Sequence, residues 1–239
     1  MKWEAFKDKF HPSWHARLQP FIESEECDKI YAYLKAESKR GKKVAPISMH
    51  VWRCFLETPL DELKVVLVGM CPYHTFKNDA PVADGLLMGC SITGQVQPSL
   101  DQFYRAMEKE FYDGLNLNII ENPDVSFLAH QGVLMLNAAL TTEKDKAGSH
   151  MEIWEPFIKY LFEEIINHLG VPIVFLGKDA ARYKKYTGIF THVFEVCHPA
   201  SASYKGIDWD TEGVFKKVNR LLDETNGDTV LWVDIDAPF

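Results

Sequence analysis

The sequence predicts an α/β protein, a three-layer αβα sandwich around a central parallel sheet of four strands. Short runs of apolar and β-branched residues alternate along the chain with longer segments of helical periodicity. The short runs are apolar throughout, which is typical of parallel strands covered on both faces. Because no repeat or linker interrupts this alternation, we expect a single domain over residues 1–239.

The first half of the chain contains two predicted helices and one predicted strand. Residues 25–39 show apolar positions three and four apart, which indicates a helix. Residues 64–69 form a β-branched run that ends in glycine, as expected of a buried strand. A second helix is expected over residues 98–111, where Ser99 is placed to cap its first turn.

The second half continues the alternation of strand and helix. Apolar runs of about six residues predict strands, and longer amphipathic segments predict helices. In order, these elements are a strand at 132–137, a helix at 151–169, a strand at 172–177, a short helix at 179–186, a strand at 191–196 and a helix at 210–224.

The composition is that of a globular protein without membrane spans. Hydrophobic residues make up 46% of the 239 residues, and the formal charge is −8. No apolar run reaches the about 18–20 residues of a membrane helix, and the charged N-terminal segment does not resemble a signal peptide. We therefore expect a soluble intracellular protein with no membrane partner. The acidic balance disfavours nucleic acid only weakly, because net charge does not locate the charges.

The cysteines and histidines predict neither a metal site nor a cofactor. The five cysteines include no C-x-x-C pair, and the nine histidines show no spacing typical of ligands. An odd number of cysteines in an intracellular chain indicates reduced thiols, most of them buried.

Reactive side chains follow three of the four predicted strands. Residues 69–74 (Gly-Met-Cys-Pro-Tyr-His) end the first strand, Asn137 ends the second and His198 follows the fourth. Each of them has a structural reading: an asparagine as a turn residue, a cysteine as a buried thiol and a histidine before proline as a packed ring. Because active sites of parallel sheets lie at the carboxyl ends of the strands, their common location favours a functional site.

Four segments of the chain resemble motifs of family 1 of the uracil-DNA glycosylases. Residues 69–74 are similar to that family's Gly-Gln-Asp-Pro-Tyr-His, and residues 131–141 are similar to its uracil-reading strand. Ser149-His150, before a Trp-x-x-Phe helix, and residues 198–203 (His-Pro-Ala-Ser-Ala-Ser) are similar to two further motifs. The likeness runs from about residue 13 to residue 225 with the motifs in order, and it implies the fold of that family.

The resemblance implies a protein that flips a pyrimidine out of DNA and hydrolyses its bond to deoxyribose. His198 is then placed to donate to O2 of the departing base, and Asn137 to read the edge of the base. Tyr73 stands where the family's ring crowds C5 of the base and rejects thymine. Met70 and Met88 complete the base-binding set. The expected DNA contacts are His74, Ser99, Ser149, His150, Ser201, Ser203 and Tyr204.

Several departures from the family fall on the groups that perform its chemistry. Cys71 stands where the family has its catalytic Asp, so an anion is replaced by a thiol that is mostly neutral at pH 7. Met88 replaces the Phe on which the flipped base stacks. Ala202 takes the place of the Leu that wedges into the base stack, although Tyr204 lies two residues on and is able to serve instead. The segment 75–83 is also longer than the family's loop.

Three hypotheses follow for the function. The first is a glycosylase acting on uracil or a related base, with Cys71 and His198 at the catalytic centre. The second is an enzyme that modifies a flipped, C5-substituted pyrimidine through Cys71 as nucleophile. The third is a catalytically inactive homologue that binds DNA or another protein. In each case we expect a monomer, and the sequence identifies no protein partner.

Overall fold

The computed structural model describes residues 2–113 and 119–235. The remainder of the single domain predicted over 1–239, namely Met1, 114–118 and 236–239, lies outside the described residues. The strands are β1 (Val44–Ala45), β2 (Val65–Gly69), β3 (Phe76–Lys77), β4 (Ala80–Pro81), β5 (Ile119–Ile120), β6 (Val133–Asn137), β7 (Thr142–Glu143), β8 (Ile173–Leu176), β9 (Val193–Val196) and β10 (Asp234–Ile235).

The α-helices of the described ranges lie between and around these strands. They are α1 (His15–Ile22), α2 (Glu25–Lys39), α3 (Arg53–Glu57), α4 (Pro98–Tyr112), α5 (Ser126–Ala129), α6 (Met151–Glu164), α7 (Lys178–Ala181), α8 (Pro199–Lys205) and α9 (Val214–Asn226). Short 3₁₀ turns span Trp3–Ala5, Lys7–Lys9, Pro12–Trp14, Leu60–Glu62, Ile166–His168 and Arg182–Tyr186.

A parallel four-stranded sheet forms the centre of the molecule, in the order β6-β2-β8-β9. Every residue of β2, β6 and β8 is buried. Because successive side chains of a strand point to opposite faces, this burial requires helices on both sides of the sheet. The predicted α/β sandwich with four parallel strands is therefore confirmed. The other strands form two-stranded antiparallel pairs outside this sheet.

Aromatic side chains hold the helices together. Trp52 contacts Trp154 and Phe157 at ring-centroid distances of 5.5 and 5.0 Å, which joins the segment before α3 to α6. Phe215 of α9 contacts Trp232 at 4.8 Å and Phe103 of α4 at 5.7 Å. Edge-to-face aromatic pairs of this kind contribute beyond the area they bury.

One helix cap and two helix boundaries differ from the predicted ones. Gln97, and not Ser99, precedes the first residue of α4, so the predicted capping role of Ser99 is wrong. Proline is favoured at the first helical position because its φ is preset and it has no N–H to satisfy, and this places Ser99 inside the first turn. Helix α6 ends at Glu164 before a 3₁₀ turn, and α9 begins only after Gly213 in the left-handed conformation.

The helix α8 was not expected, since residues 198–203 resemble a loop motif. Pro199 stands at its first position and Gly206 ends it with φ +63°. A proline at the first position and a glycine just after the last one are typical of a helix, and both are present in this segment. None of the described helices has both the length and the hydropathy needed to cross a membrane.

Candidate active site

A cavity of about 410 Å³ opens at the carboxyl edge of the central sheet, where the sequence analysis expects the site. It brings together residues that follow β2, β8 and β9, although they are far apart in the chain. Its lining residues are Met70, Cys71, Pro72, Tyr73, His74, Leu87, Met88, Ser99, Ala147, Leu176, Gly177, Lys178, Asp179, His198, Ala200, Ser201 and Tyr204.

His198 lies between the end of β9 and the start of α8. Its Nδ1 accepts a hydrogen bond from the backbone N–H of Ala200 at 3.1 Å. Burial lowers the pKa of His198 to about 4, so the ring is neutral at pH 7. Because Nδ1 is an acceptor, the single proton resides on Nε2. The cavity therefore contains a neutral imidazole donor.

Cys71 lies at the end of β2, two residues after the last sheet position. Its Sγ accepts a hydrogen bond from the backbone N–H of Gly148 at 3.2 Å. Burial raises the pKa of the Cys71 thiol, which outweighs that hydrogen bond. The site therefore has neither the anion of the family's Asp nor the acidified thiol that a cysteine nucleophile requires.

Asn137 ends β6 directly opposite Gly69 of β2. It is only 2% exposed, and its Oδ1 has no hydrogen-bond partner among the described residues. Asn137 is not one of the lining residues of the cavity, whereas Leu87 is. The expected base-reading amide is therefore buried at the end of β6 and is not itself part of the cavity lining.

The segment 84–91 carries Leu87 and Met88 into the cavity. Buried Asp84 pairs with Arg53, with Nη1 and Oδ2 2.9 Å apart, and also accepts hydrogen bonds from the backbone N–H groups of Leu86 and Ser91. Met88 has φ +61°, a left-handed conformation that is uncommon for a side chain of its size. Such a residue persists only where its surroundings over-determine the backbone, and the Arg53–Asp84 pair supplies that constraint.

Gly85 and Gly89 are required by the close packing of this segment. A Cβ on Gly85 would lie 2.0 Å from the backbone oxygen of His50, and a Cβ on Gly89 would lie 2.1 Å from Oδ1 of Asp84. Both distances are below any real contact, so only glycine fits at these positions.

Tyr73, His74 and Met70 also line the cavity, as the resemblance implies. Burial raises the pKa of Tyr73, so its phenol stays neutral. Nδ1 of His74 is buried and has no partner within the described ranges. Tyr73 therefore offers the site a neutral hydroxyl group, and Met70 offers apolar surface.

The expected DNA-contacting residues fall into two groups. Ser99, Ser201 and Tyr204 line the cavity, and Tyr204 is 89% exposed at its mouth. Ser201 donates its hydroxyl hydrogen to the backbone oxygen of His198 at 2.7 Å. Ser203 is partly exposed on α8 outside the lining. Ala202 is buried, and the exposed aromatic side chain on this helix is Tyr204.

Ser149 and His150 lie outside the cavity lining. His150 is buried, and its Nδ1 lies 2.9 Å from Oγ1 of Thr141. Burial lowers its pKa, so it is a neutral packed residue in this structure. Ser149 is exposed, and its Oγ accepts a hydrogen bond from the backbone N–H of Glu143 at 2.8 Å.

Eight lining residues are not among the predicted site residues: Pro72, Leu87, Ala147, Leu176, Gly177, Lys178, Asp179 and Ala200. Lys178 and Asp179 follow β8, and both are exposed. The sequence contains the signal that identifies Lys178 and Asp179, because the third predicted strand also ends at this edge of the sheet. Among the described lining residues Asp179 is the one carboxylate and Lys178 the one ammonium group. No cluster of three potential metal ligands occurs in the described part of the chain.

Two comparisons of sequence place the chain among glycosylases. A model of the uracil DNA glycosylase superfamily matches residues 56–223. The uracil-DNA glycosylase of Streptococcus pneumoniae (strain Hungary19A-6) is 32% identical over 228 residues, covering 93% of this chain and 99% of that protein. The enzyme of S. pneumoniae serotype 19F (strain G54) is 31% identical with the same coverage.

Solved structures show the same fold. The crystal structure of mimivirus uracil-DNA glycosylase has a TM-score of 0.77 and 19% identity, covering 96% of this chain and 92% of that one. The wild-type UNG structure from Nitratifractor salsuginis has a TM-score of 0.63 and 18% identity, covering 92% of this chain and 94% of that one. Since the family match contains all four strands of the central sheet and the whole cavity lining, the chain belongs to the uracil-DNA glycosylase superfamily.

Proposed function

We propose that this protein is a DNA glycosylase that takes a flipped pyrimidine, uracil or a related base, into the cavity and hydrolyses its N-glycosidic bond. The observation that carries the proposal is the neutral imidazole of His198, whose Nε2–H is available in a cavity at the edge of the sheet. Membership of the superfamily and the names of the pneumococcal relatives support DNA as the substrate. We further propose that it acts inside the cell as a monomer.

His198 would stabilise the departing base. As the bond between C1′ and N1 breaks, its electron pair moves onto the base, and negative charge develops on O2. The neutral imidazole donates its Nε2–H to that oxygen, and the ring does not have to be protonated first. The oxygen of a water molecule then bonds to C1′, and the proton of that water goes to the base or to solvent. A preorganised donor aimed at developing charge is commonly the largest single contribution to catalysis.

The sugar would carry positive charge in this transition state, and a nearby anion would lower its energy. The neutral Cys71 thiol does not supply one. Asp179 would supply one, because it is the carboxylate among the described lining residues and its negative charge is felt by the Cys71 thiol, whose pKa is raised by burial and then by that charge. We assign to Asp179 the electrostatic role for which Cys71 is unsuited.

The exposed residues at the mouth would meet the DNA. Lys178 is able to pair with a phosphate, and the ring of Tyr204 is able to enter the gap left by the flipped nucleotide. This places the positive and aromatic groups of the mouth on α7 and α8, even though the whole chain carries a formal charge of −8.

A second candidate function is DNA binding without catalysis. It is favoured by the neutral thiol at position 71, together with the absence of Asn137 from the cavity lining. Modification of a base through Cys71 has less support, because burial raises the pKa of this thiol rather than lowering it.

The test is mass spectrometry of a duplex oligonucleotide carrying one uracil, after long incubation with the full chain. We expect the DNA to lose the mass of the base in wild type and to remain intact with His198→Ala. His192→Ala is the matched control, because His192 is an exposed histidine outside the cavity lining. Intact DNA with wild type would refute the glycosylase, and retained binding of the duplex would then favour the second candidate. A covalent adduct on the protein would identify Cys71 as a nucleophile.

A further inference from the structure

The amide of Asn137 and the side chain of Leu87 both approach Gly69 on the side where its Cβ would lie. A Cβ built on Gly69 would lie 2.3 Å from Cδ1 of Leu87 and 3.5 Å from Oδ1 of Asn137. The methyl group of Leu87 therefore packs directly on the glycine, and the amide oxygen of Asn137 approaches the same side of it. Leu87 is itself 2% exposed, so the contact is made deep in the site.

Leu87 lines the cavity, whereas Asn137 does not. The leucine side chain thus forms the wall of the cavity on the side where Asn137 lies. A base that enters the cavity meets this apolar wall before it reaches the amide.

The amide oxygen of Asn137, Oδ1, is buried and has no hydrogen-bond partner among the described residues. A buried unpaired acceptor is unfavourable and uncommon, and one beside a cavity indicates that a ligand supplies the donor. An imide N–H of a pyrimidine such as uracil has the required chemistry.

The backbone of the leucine is held in place. Its N–H donates to the backbone oxygen of Met135 at 2.9 Å, and the adjoining turn is fixed by Asp84. Access to the amide therefore depends on rotation of the Leu87 side chain and not on movement of the segment. Rotamer changes of this kind need no rearrangement of the fold.

We propose that Leu87 is a gate that determines base specificity: in its closed position it separates the cavity from Asn137, and only a base that displaces the leucine is read by the amide. This inference rests on the proposed function and assigns it a specificity-determining residue. A base able to donate to Oδ1 gains a hydrogen bond when the gate opens. A base without such a donor displaces Leu87 but leaves Oδ1 of Asn137 unpaired, and it is therefore rejected.

The test is binding of free uracil to the full-length protein, measured by titration calorimetry and ligand-observed NMR. We expect Leu87→Ala to bind uracil roughly tenfold more tightly than wild type, because the hydrogen bond to the amide forms without displacing a side chain. The gain should vanish in the double variant Leu87→Ala/Asn137→Ala. The matched control is Leu86→Ala, since Leu86 is equally buried but is not a lining residue, and it should leave uracil affinity unchanged.

Two results would overturn the gate: a folded Leu87→Ala that binds uracil no more tightly than wild type, or a gain that survives removal of the Asn137 amide. Should Leu87→Ala fail to fold, Leu87→Val removes one methylene and should give a smaller gain in the same direction. Excision from a uracil duplex is measured in parallel. Tighter uracil binding without excision by any variant would contradict the proposed function while supporting the gate.

Discussion

The backbone N–H of Ala200 points at Nδ1 of His198 from 3.1 Å, two residues along the same chain. The second residue of α8, Ala200, therefore decides which imidazole nitrogen carries the proton. Because Pro199 lies between them and sets the first turn of the helix, the local sequence alone orients the ring. The donor expected to face the base is thus fixed before any DNA binds.

The first prediction concerns stability and pH. The folded-state pKa of His198 is about 4, below its ordinary value of 6.5, so the unfolded chain takes up this proton first as the pH falls. The stabilisation is complete above pH 6.5 and is lost progressively toward pH 4. Between pH 7 and pH 5 we expect a loss of about 2 kcal/mol from this residue. Urea unfolding at both pH values should show a smaller loss in His198→Gln, and an equal loss in both proteins would contradict the assigned pKa.

The second prediction restores an anion at position 71. In Cys71→Asp, a carboxylate replaces the neutral thiol and keeps the N–H of Gly148 as a donor. We expect uracil excision under single-turnover conditions to rise by roughly 10²–10³. Cys197→Asp is the control, because Cys197 is an exposed cysteine outside the cavity lining. An unchanged rate in Cys71→Asp would show that charge at this position does not limit the reaction.

The third prediction concerns the stacking surface. Met88 is a buried lining residue with a flexible thioether, and Met88→Phe in the Cys71→Asp protein provides an aromatic face for the base. Base–aromatic stacking should raise affinity for a uracil duplex by roughly threefold to tenfold. Fluorescence anisotropy with the uracil duplex and with its thymine counterpart measures the change. An equal gain for both duplexes would mean that the ring contacts DNA outside the cavity.

The fourth prediction tests Asp179. If its carboxylate stabilises charge on the sugar, Asp179→Asn should reduce excision by roughly 10²-fold. Burial and then the negative charge of Asp179 raise the pKa of Cys71, so this variant should also make the thiol react with iodoacetamide at lower pH. Glu195→Gln is the control, since Glu195 is an exposed carboxylate paired with Lys184 outside the lining. Normal excision together with unaltered thiol reactivity would remove Asp179 from the site.

The fifth prediction concerns the mouth of the cavity. Tyr204 and Phe190 are aromatic residues of nearly equal exposure, 89% and 91%, but only Tyr204 is a lining residue. If its ring fills the gap left by a flipped nucleotide, Tyr204→Ala should weaken binding of a uracil duplex by roughly tenfold. Binding of a single strand with the same uracil should change little, because it has no stack to enter. Phe190→Ala should match wild type for both DNAs.

The position of Cys71 and His198 at one edge of the sheet follows from the sequence alone. Both come directly after apolar runs, and parallel strands bring their carboxyl ends together whatever lies between them. The same rule applied to the third strand identifies Lys178 and Asp179, which reasoning from motifs had passed over. Periodicity therefore located the residues that follow β2 and β9, whereas the resemblance supplied Met88, Ser99, Ser201 and Tyr204.

The wall formed by Leu87 was not predictable from the sequence. Periodicity identifies Leu87 as an apolar residue near a strand, but whether it covers Gly69 or points into the core depends on the turn around Asp84. The burial of His150 is similar, because only the packed structure shows that Thr141 takes its Nδ1. Directions of side chains depend on contacts between distant segments, and these are absent from any local pattern.

The ion pair between Arg53 and Asp84 joins a helix that contributes nothing to the cavity with the segment that carries Leu87 and Met88. We therefore expect that substitutions in α3 are able to change the base preference, although α3 contributes no residue to the cavity lining. Because Asp84 holds the segment 84–91, we expect substitutions at Arg53 to change the orientation of Leu87 and Met88. His198 and Cys71 would not be altered. The remote position of Arg53 is therefore where we expect substitutions to adjust the base preference of the proposed activity, whereas a change at His198 would remove its hydrogen-bond donor.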